Sequence, residues 1–276
     1  MGTSAERVTP SGGDWTAIKR EITREIHGTN STNPNRIIGG VIGATRGFSG
    51  LGGRGSGGSG GRGNMGGGGG VGGGRGRSGV GKSAIGKAVG GLGGFGAALD
   101  SGGLDQAIES LGLAELRGKP ASEIISRIAE HLADGTDGIE HELMTTALRD
   151  AILECAALTG DGSYNALDSS LQTFLEREGI GGLVESFLSH FVFDGVWSLL
   201  ENHVNLTSNG VSDSQALASA VENACRMHVQ ELIAEVTREG RFERVDWFGT
   251  EGSKLGGDIV ATLEFRLQSL ALENNL

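Results

Sequence analysis

The sequence has few of the residues that mark several protein classes. It contains three prolines and two cysteines among 276 residues, and aromatic residues make up 5% of the chain. Two cysteines are too few for a disulfide framework and no signal peptide opens the chain, which predicts a reduced, cytoplasmic setting. The 52 glycines lack a three-residue period, which excludes a collagen helix. No run of 18 apolar residues occurs, so we expect no membrane span.

Charge is unevenly distributed along the chain. The formal net charge is −11. Residues 1–27 are neutral, and residues 28–99 carry eight basic side chains and no acidic one, which leaves −19 for residues 100–276. Within residues 28–99 the glycines, serines and arginines show no helical or strand period, and such a composition buries too little apolar area to offset ordering entropy. The pattern predicts a flexible Gly/Arg-rich tether over residues 28–99, which would give the amino terminus its reach.

Residues 100–276 form a chain segment long enough for a cooperative domain. Apolar residues recur there with a period of 3.6, and no hairpin signal interrupts them. The pattern predicts an all-α domain of six or seven helices. Gly179 is expected to end one of these helices, and a bend is expected near Gly195 in the most apolar one.

A short amphipathic helix is predicted within residues 1–27, the amino-terminal arm. Trp15, Ile18 and Ile22 recur at helical spacing, and Asp14 is placed to cap the helix. A helix of this length is marginal alone in water, so it either packs on its own domain or forms with a partner. We assign Trp15, Ile18 and Ile22 to partner recognition, with packing on the protein's own domain as the alternative.

Several patterns of site residues are present but incomplete. Gly76–Ser83 satisfies the phosphate-loop pattern, yet no apolar strand precedes it, so we expect no nucleotide site at Lys82. The histidines lack the spacing of a metal site, and Cys155 and Cys225 fall on apolar helix faces. We therefore expect no catalytic residue, no cofactor and no metal, and at most weak nucleic-acid contact through the arginines of the tether.

Glycine has a specific role in two predictions, one about helix packing and one about the amino terminus. Gly86, Gly90 and Gly94 are spaced for close contact between helices, although flexibility is the alternative reading. Removal of Met1 would expose Gly2, whose α-amine with a pKa near 7.7 to 8.0 is partly neutral at cell pH and suited to acylation. The myristoylation pattern fails because the sixth residue is Glu6. The alternative for Gly2 is an ordinary second residue with no role.

The sequence resembles the QatB family of a bacterial anti-phage defence system. The similarity rests on the opening Met-Gly-Thr-Ser, the Gly/Arg-rich tether ending in GRSGVGKSAIGKAVGGL, and the helical blocks GLDQAIESLGLAELRGKPASEII and FLEREGIGGLVESFLSHFVFDGVWSLLE. The resemblance implies a non-enzymatic component encoded beside an ATPase (QatA), a QueC-like enzyme (QatC) and a TatD-like nuclease (QatD).

The resemblance also implies a modification site. QueC-like enzymes activate the carboxylate of a 7-deazaguanine base with ATP, and QatC could use the α-amine of Gly2 in place of ammonia. Gly2 would then be the acceptor, and Thr3 and Ser4 would be recognised in the enzyme's cleft. The alternative function is an interaction or adaptor module that recruits partners through its amino-terminal helix and helical domain without covalent modification.

Overall fold

A computed structural model describes residues 13–27, 33–51, 80–136, 138–157, 162–208 and 211–273. Within these residues the fold is all-α, as predicted, and no strand occurs. The helices are α1 (Gly13–Ile26), α2 (Pro34–Ala44), α3 (Val80–Ser110), α4 (Ala121–Leu132), α5 (Gly138–Ala156), α6 (Tyr164–Thr207), α7 (Val211–Arg238), α8 (Arg241–Arg244) and α9 (Thr250–Glu273). In the same part of the chain, the 3₁₀ turn Phe48–Gly50 follows α2 and the 3₁₀ turn Ala114–Leu116 lies between α3 and α4.

The two longest helices are each interrupted by glycine. In α3 the backbone leaves helical geometry at Gly102 and Gly103. The helix then restarts at Leu104, whose N–H donates to Asp168 of α6 at 2.8 Å, so a residue distant in sequence caps the new segment. In α6 the break lies at Gly179, where φ is 66° and glycine avoids the Cβ penalty. Gly179 was predicted to end a helix, and the break lies there. At Gly195, where a bend was predicted, the backbone keeps helical dihedral angles.

One hydrophobic core joins the nine helices of the described residues. The central α6 packs against α3, α5 and α7, while α9 packs against α2 and α3. The core includes Ile38 and Ile42 of α2, Phe95 of α3 and Leu263 of α9, none of which has measurable exposure. Each helix therefore buries one apolar stripe against its neighbours, which is how an all-α domain is stabilised.

The predicted boundary of the domain needs correction. Pro34–Ala44 and the part of α3 before residue 100 lie inside the helical domain, although we predicted residues 28–99 to be a tether. Asn33 starts α2 by accepting a hydrogen bond from the N–H of Asn35 at 3.0 Å, and Pro34 takes the first helical position. The isoleucines of α2 are buried and supply apolar contact area. We did not expect this area because the surrounding composition is rich in glycine. Residues 52–79 lie outside the described residues.

The glycines of α3 form a close helix contact. A Cβ at Gly86 would lie 2.8 Å from the backbone nitrogen of Gly257 in α9, and one at Gly90 would lie 2.7 Å from that of Ser253. Such distances leave no room for a side chain, so the two helix backbones approach through their glycine faces. Of the two interpretations offered for Gly86, Gly90 and Gly94, the structure shows close helix contact at Gly86 and Gly90. A Cβ at Gly94 would instead lie 3.3 Å from the carbonyl oxygen of Trp247, in the turn before α9.

Candidate functional site

The helix α1 lies in a groove of the protein's own domain, formed by α2, α6 and α7. Trp15 and Ile18 are 4% and 6% exposed, and Ile22 is fully buried. Ile18 packs on Gly40 of α2, where a Cβ would lie 2.9 Å from its Cγ1. The structure thus shows the alternative we left open, packing on the domain. A role of these three side chains in partner recognition stays a prediction, and it requires α1 to leave the groove.

Polar contacts hold the second half of α1. Arg36 of α2 forms an ion pair with Glu21 at 3.1 Å. Nε2 of His203 in α6 lies 3.0 Å from the carbonyl oxygen of Lys19 and 3.3 Å from Oγ1 of Thr23. Since a carbonyl only accepts, Nε2 carries the proton and donates to it. The groove therefore fixes α1 by both apolar burial and side-chain hydrogen bonds.

The first half of α1 contains an unsatisfied donor. The indole Nε1 of Trp15 is buried and has no hydrogen-bond partner within the described part of the chain, while Nζ of Lys19 lies 5.9 Å from the ring centroid. A buried donor without a partner costs free energy. The apolar area of Trp15 therefore holds this end of the helix without help from its polar atom.

The amino end of α1 lies at the protein surface. Gly13 and Asp14 are exposed, and a Cβ at Gly13 would meet nothing within 4 Å. The predicted acceptor Gly2 and its neighbours Thr3 and Ser4 lie outside the described residues. The structure shows where residues 1–12 join the domain, which is at the exposed residue Gly13.

A second polar site joins three core helices. Glu154 of α5 accepts a hydrogen bond from Oγ of Ser186 at 2.7 Å and from Nε2 of His190 at 2.9 Å, both on α6. Its other oxygen, Oε1, accepts from Nη1 of Arg226 on α7 at 2.7 Å. Sequence analysis missed this cluster. The four-residue spacing of Ser186 and His190 was its only local signal, because the carboxylate and the guanidinium come from other helices.

The electrostatics of the cluster keep Glu154 ionised. Burial alone would raise the pKa of its carboxyl group. Hydrogen bonds from Arg226, Ser186 and His190, together with the positive charge of Arg226, outweigh that effect and lower the pKa to about 2. The ion pair in turn raises the pKa of Arg226.

The cluster lacks the geometry of nucleophilic catalysis. The hydroxyl of Ser186 donates to a carboxylate rather than to His190, so no base is placed to activate it. Cys155 and Cys225 are free and buried. Burial raises the pKa of Cys155 to about 12 and also raises that of Cys225, which keeps both thiols protonated at neutral pH. No group of three or more His, Cys, Asp or Glu side chains suited to a metal ion occurs in the described ranges.

The surface has open cavities with mixed linings. The first, of 340 Å³, lies between α8 and α9 and is lined by Arg241, Arg244, Lys254, Glu251 and Asp258, among others. Arg241 and Asp258 already pair there at 3.0 Å. A second, of 280 Å³, follows the break in α3 and is lined by Asp100 and Glu176, among others. Neither combines an apolar pocket with converging polar groups, as small-molecule sites do.

The helix α6 is, in the described part of the chain, the one helix long and apolar enough to cross a membrane by length and composition. Two thirds (67%) of that apolar stretch is buried inside the domain, and the helix is broken at Gly179. Its apolar side chains contact other helices, which is the arrangement of a core helix.

The described residues define an all-helical protein with an apolar core, and its ion pairs, those of Glu154 included, lie at partly exposed positions. Residues 73–255, about two thirds of the chain, match the family described as Qat anti-phage system associated protein QatB. The chain belongs to the QatB family and is a component of the Qat anti-phage system. No curated protein and no solved structure gives a significant match.

Proposed function

We propose that this chain is a cytoplasmic scaffold and protein substrate of the Qat system, modified on the α-amine of Gly2 by a QueC-like partner enzyme (QatC). The family assignment supports a role beside other proteins of the system. The observation that carries the proposal furthest is the exposed amino end of α1. Because this end of α1 lies at the protein surface, an enzyme can approach the chain at the point where residues 1–12 join the domain.

The chemistry of the proposed step is an acyl transfer. The partner joins the carboxylate of a 7-deazaguanine-type base to AMP, with pyrophosphate as the leaving group. The neutral α-amine of Gly2 then attacks the activated carbonyl carbon, AMP leaves, and the nitrogen loses a proton as the amide forms. An α-amine with a pKa near 7.7 to 8.0 supplies enough neutral amine for this attack. Thr3 and Ser4 would be recognised in the enzyme's cleft.

The test is an intact-mass spectrum with amino-terminal peptide sequencing after expression with and without the partner enzyme. We expect a mass increment on Gly2 that requires the partner. Gly2→Glu is the matched control, because a large second residue retains Met1 and leaves no glycine amine. A terminus showing only loss of Met1, with the partner demonstrably active, would contradict the proposal.

An adaptor without covalent modification is the second candidate. Large apolar side chains that are at least two-thirds exposed would be available to a partner under this function, namely Leu206, Val211, Phe248 and Phe265. Under this function the QueC-like enzyme, the ATPase (QatA) or the TatD-like nuclease (QatD) would bind the helical domain. Deletion of residues 2–5 distinguishes the two, because it abolishes defence if Gly2 is modified and spares defence if only the helices recruit partners.

A further inference from the structure

Because α1 packs on the domain, the position at which residues 2–12 are attached to the domain is fixed. Ile22 is fully buried, Ile18 packs on α2, and Glu21 pairs with Arg36. The chain that carries Gly2 is therefore held by the domain from Gly13 onward. Only residues 2–12 lie between the acceptor amine and this fixed point.

The length of this segment limits the position of the acceptor. Eleven residues span at most about 40 Å even when fully extended. If α1 were not docked, residues 2–32 would precede the domain and could span roughly 110 Å. An enzyme that takes up Gly2 must therefore place its active site close to the amino end of α1.

The glycine-rich segment adds nothing to this reach. Residues 52–79 connect Leu51 to Val80, and both connections lead into the helical domain. Leu51 is 2% exposed and packs on Gly195 of α6, where a Cβ would lie 2.8 Å from its Cδ1. At the other connection α3 begins at Val80 and contacts α9. Residues 52–79 are thus joined to the helical domain at both ends. They do not lie between the domain and Gly2, so the expectation that the glycine-rich segment gives the amino terminus its reach is wrong.

We propose that the enzyme that modifies Gly2 binds the helical domain itself, on the exposed face of α1 near its amino end, in addition to the terminal residues. This inference rests on the proposed function. When Gly2 is bound, some of residues 2–12 must lie inside the active-site cleft of the enzyme. The remaining residues are too few to keep the two proteins apart, so the surface of the enzyme contacts the surface of the helical domain. Asp14, Ala17 and Arg20 are exposed on this face and form the predicted contact surface.

A competition experiment tests the inference. A chain lacking residues 2–5 keeps α1 and the domain but offers neither Gly2 nor its neighbours. Added in excess to wild-type chain, ATP, the carboxylated base and the purified enzyme, it should lower the initial rate of wild-type modification at least fivefold. Serum albumin at the same concentration is the control for non-specific effects.

Two variants of the competitor locate the contact. Ala17→Arg on α1 and Ala261→Arg on α9 each add one bulky charge at an exposed helical alanine, so neither disturbs the core. The Ala17 variant should compete at least tenfold less well, and the Ala261 variant should compete like the parent. Absence of competition by the parent, or equal competition by both variants, would overturn the inference. If the wild-type chain itself is not modified by active enzyme, the proposed function fails instead.

Discussion

The carboxylate of Glu264 in α9 accepts a hydrogen bond from the backbone N–H of Phe48 at 2.8 Å, across 216 positions of sequence. Glu264 is 5% exposed, and the ring of Phe48 meets Phe191 of α6 edge-on at 5.9 Å between centroids. The turn after α2 is thereby fixed to the last helix and to the central one.

Replacing Glu264 tests this contact. Glu264→Ala leaves the buried N–H of Phe48 without its acceptor, and we expect a loss of about 1–3 kcal/mol in the free energy of unfolding. Glu264→Gln keeps an acceptor oxygen and should lose less. Urea unfolding gives both values. Equal stability of the two variants would show that the hydrogen bond does not hold the turn.

The close contact between α3 and α9 predicts opposite effects at neighbouring glycines. A Cβ at Gly256 would collide with the carbonyl oxygen of Gly86, whereas one at Gly257 would meet nothing within 4 Å. Gly256→Ala should therefore destabilise the domain by about 1–3 kcal/mol. Gly257→Ala should be neutral or stabilising by up to about 1 kcal/mol, because alanine favours helix. Thermal unfolding of the pair measures the difference, and a destabilising Gly257→Ala would refute the described packing.

The Glu154 cluster predicts a specific acid sensitivity. The pKa of Glu154 in the folded state, about 2, lies below its ordinary value of 4.5. Its stabilising contribution is therefore present above about pH 4.5 and is lost as the pH falls toward 2. Because the side chain is 38% exposed, solvent screens the interaction and we expect an effect of about 1 kcal/mol.

The measurement for this cluster is urea unfolding at pH 7 and pH 3. Between these values the wild-type protein should lose about 1 kcal/mol more than Glu154→Gln does. Glu142→Gln, at an exposed carboxylate on the same helix, is the control and should follow the wild type. Parallel pH profiles for wild type and Glu154→Gln would show that the cluster does not contribute.

The indole Nε1 of Trp15, which has no hydrogen-bond partner among the described residues, predicts that this polar atom is dispensable. Trp15→Phe removes the buried donor and keeps most of the apolar ring, so it should change the free energy of unfolding by less than about 1 kcal/mol. Trp15→Ala leaves a cavity and should cost about 3–5 kcal/mol. Calorimetry of both variants decides. A large loss in Trp15→Phe would mean that Nε1 has a partner in the protein.

The buried cysteines predict low thiol reactivity. Because the thiolate is the reactive form, and burial raises the pKa of both thiols, neither should react with an aromatic disulfide reagent in the native protein at pH 8. Both should react at once in urea. Rapid reaction of one thiol without denaturant would show that Cys155 or Cys225 is accessible.

Much of the helical domain could be predicted from periodicity. The stripe of Ile124, Ile125, Ile128 and Leu132 predicts α4, and Gly179 marks the break in α6 because only glycine adopts its φ without strain. The α2 helix was missed because its isoleucines lie among glycines, where composition suggests disorder. The Asn33-Pro34 start, which satisfies the first turn of a helix, was the available signal.

The polar site was beyond sequence reasoning for a different reason. Glu154, His190 and Arg226 lie on three helices, and their distances depend on how those helices pack. The glycine-rich helix α3 also depends on tertiary packing. Its intrinsic helix propensity is low, and burial against α9 stabilises it. In both cases tertiary contact, rather than local pattern, decides the structure.

The packing of α9 on α2 and α3 also has a consequence for synthesis. At roughly 5–20 residues per second, a ribosome needs roughly 10–40 s to add the 216 positions from Phe48 to Glu264. Until then the glycine faces and isoleucines of the early helices have no permanent cover. A chain interrupted before α9 would therefore leave the faces of α2 and α3 that α9 covers in the folded domain open to solvent, and we expect such a truncated chain to be more susceptible to proteolysis than the complete domain.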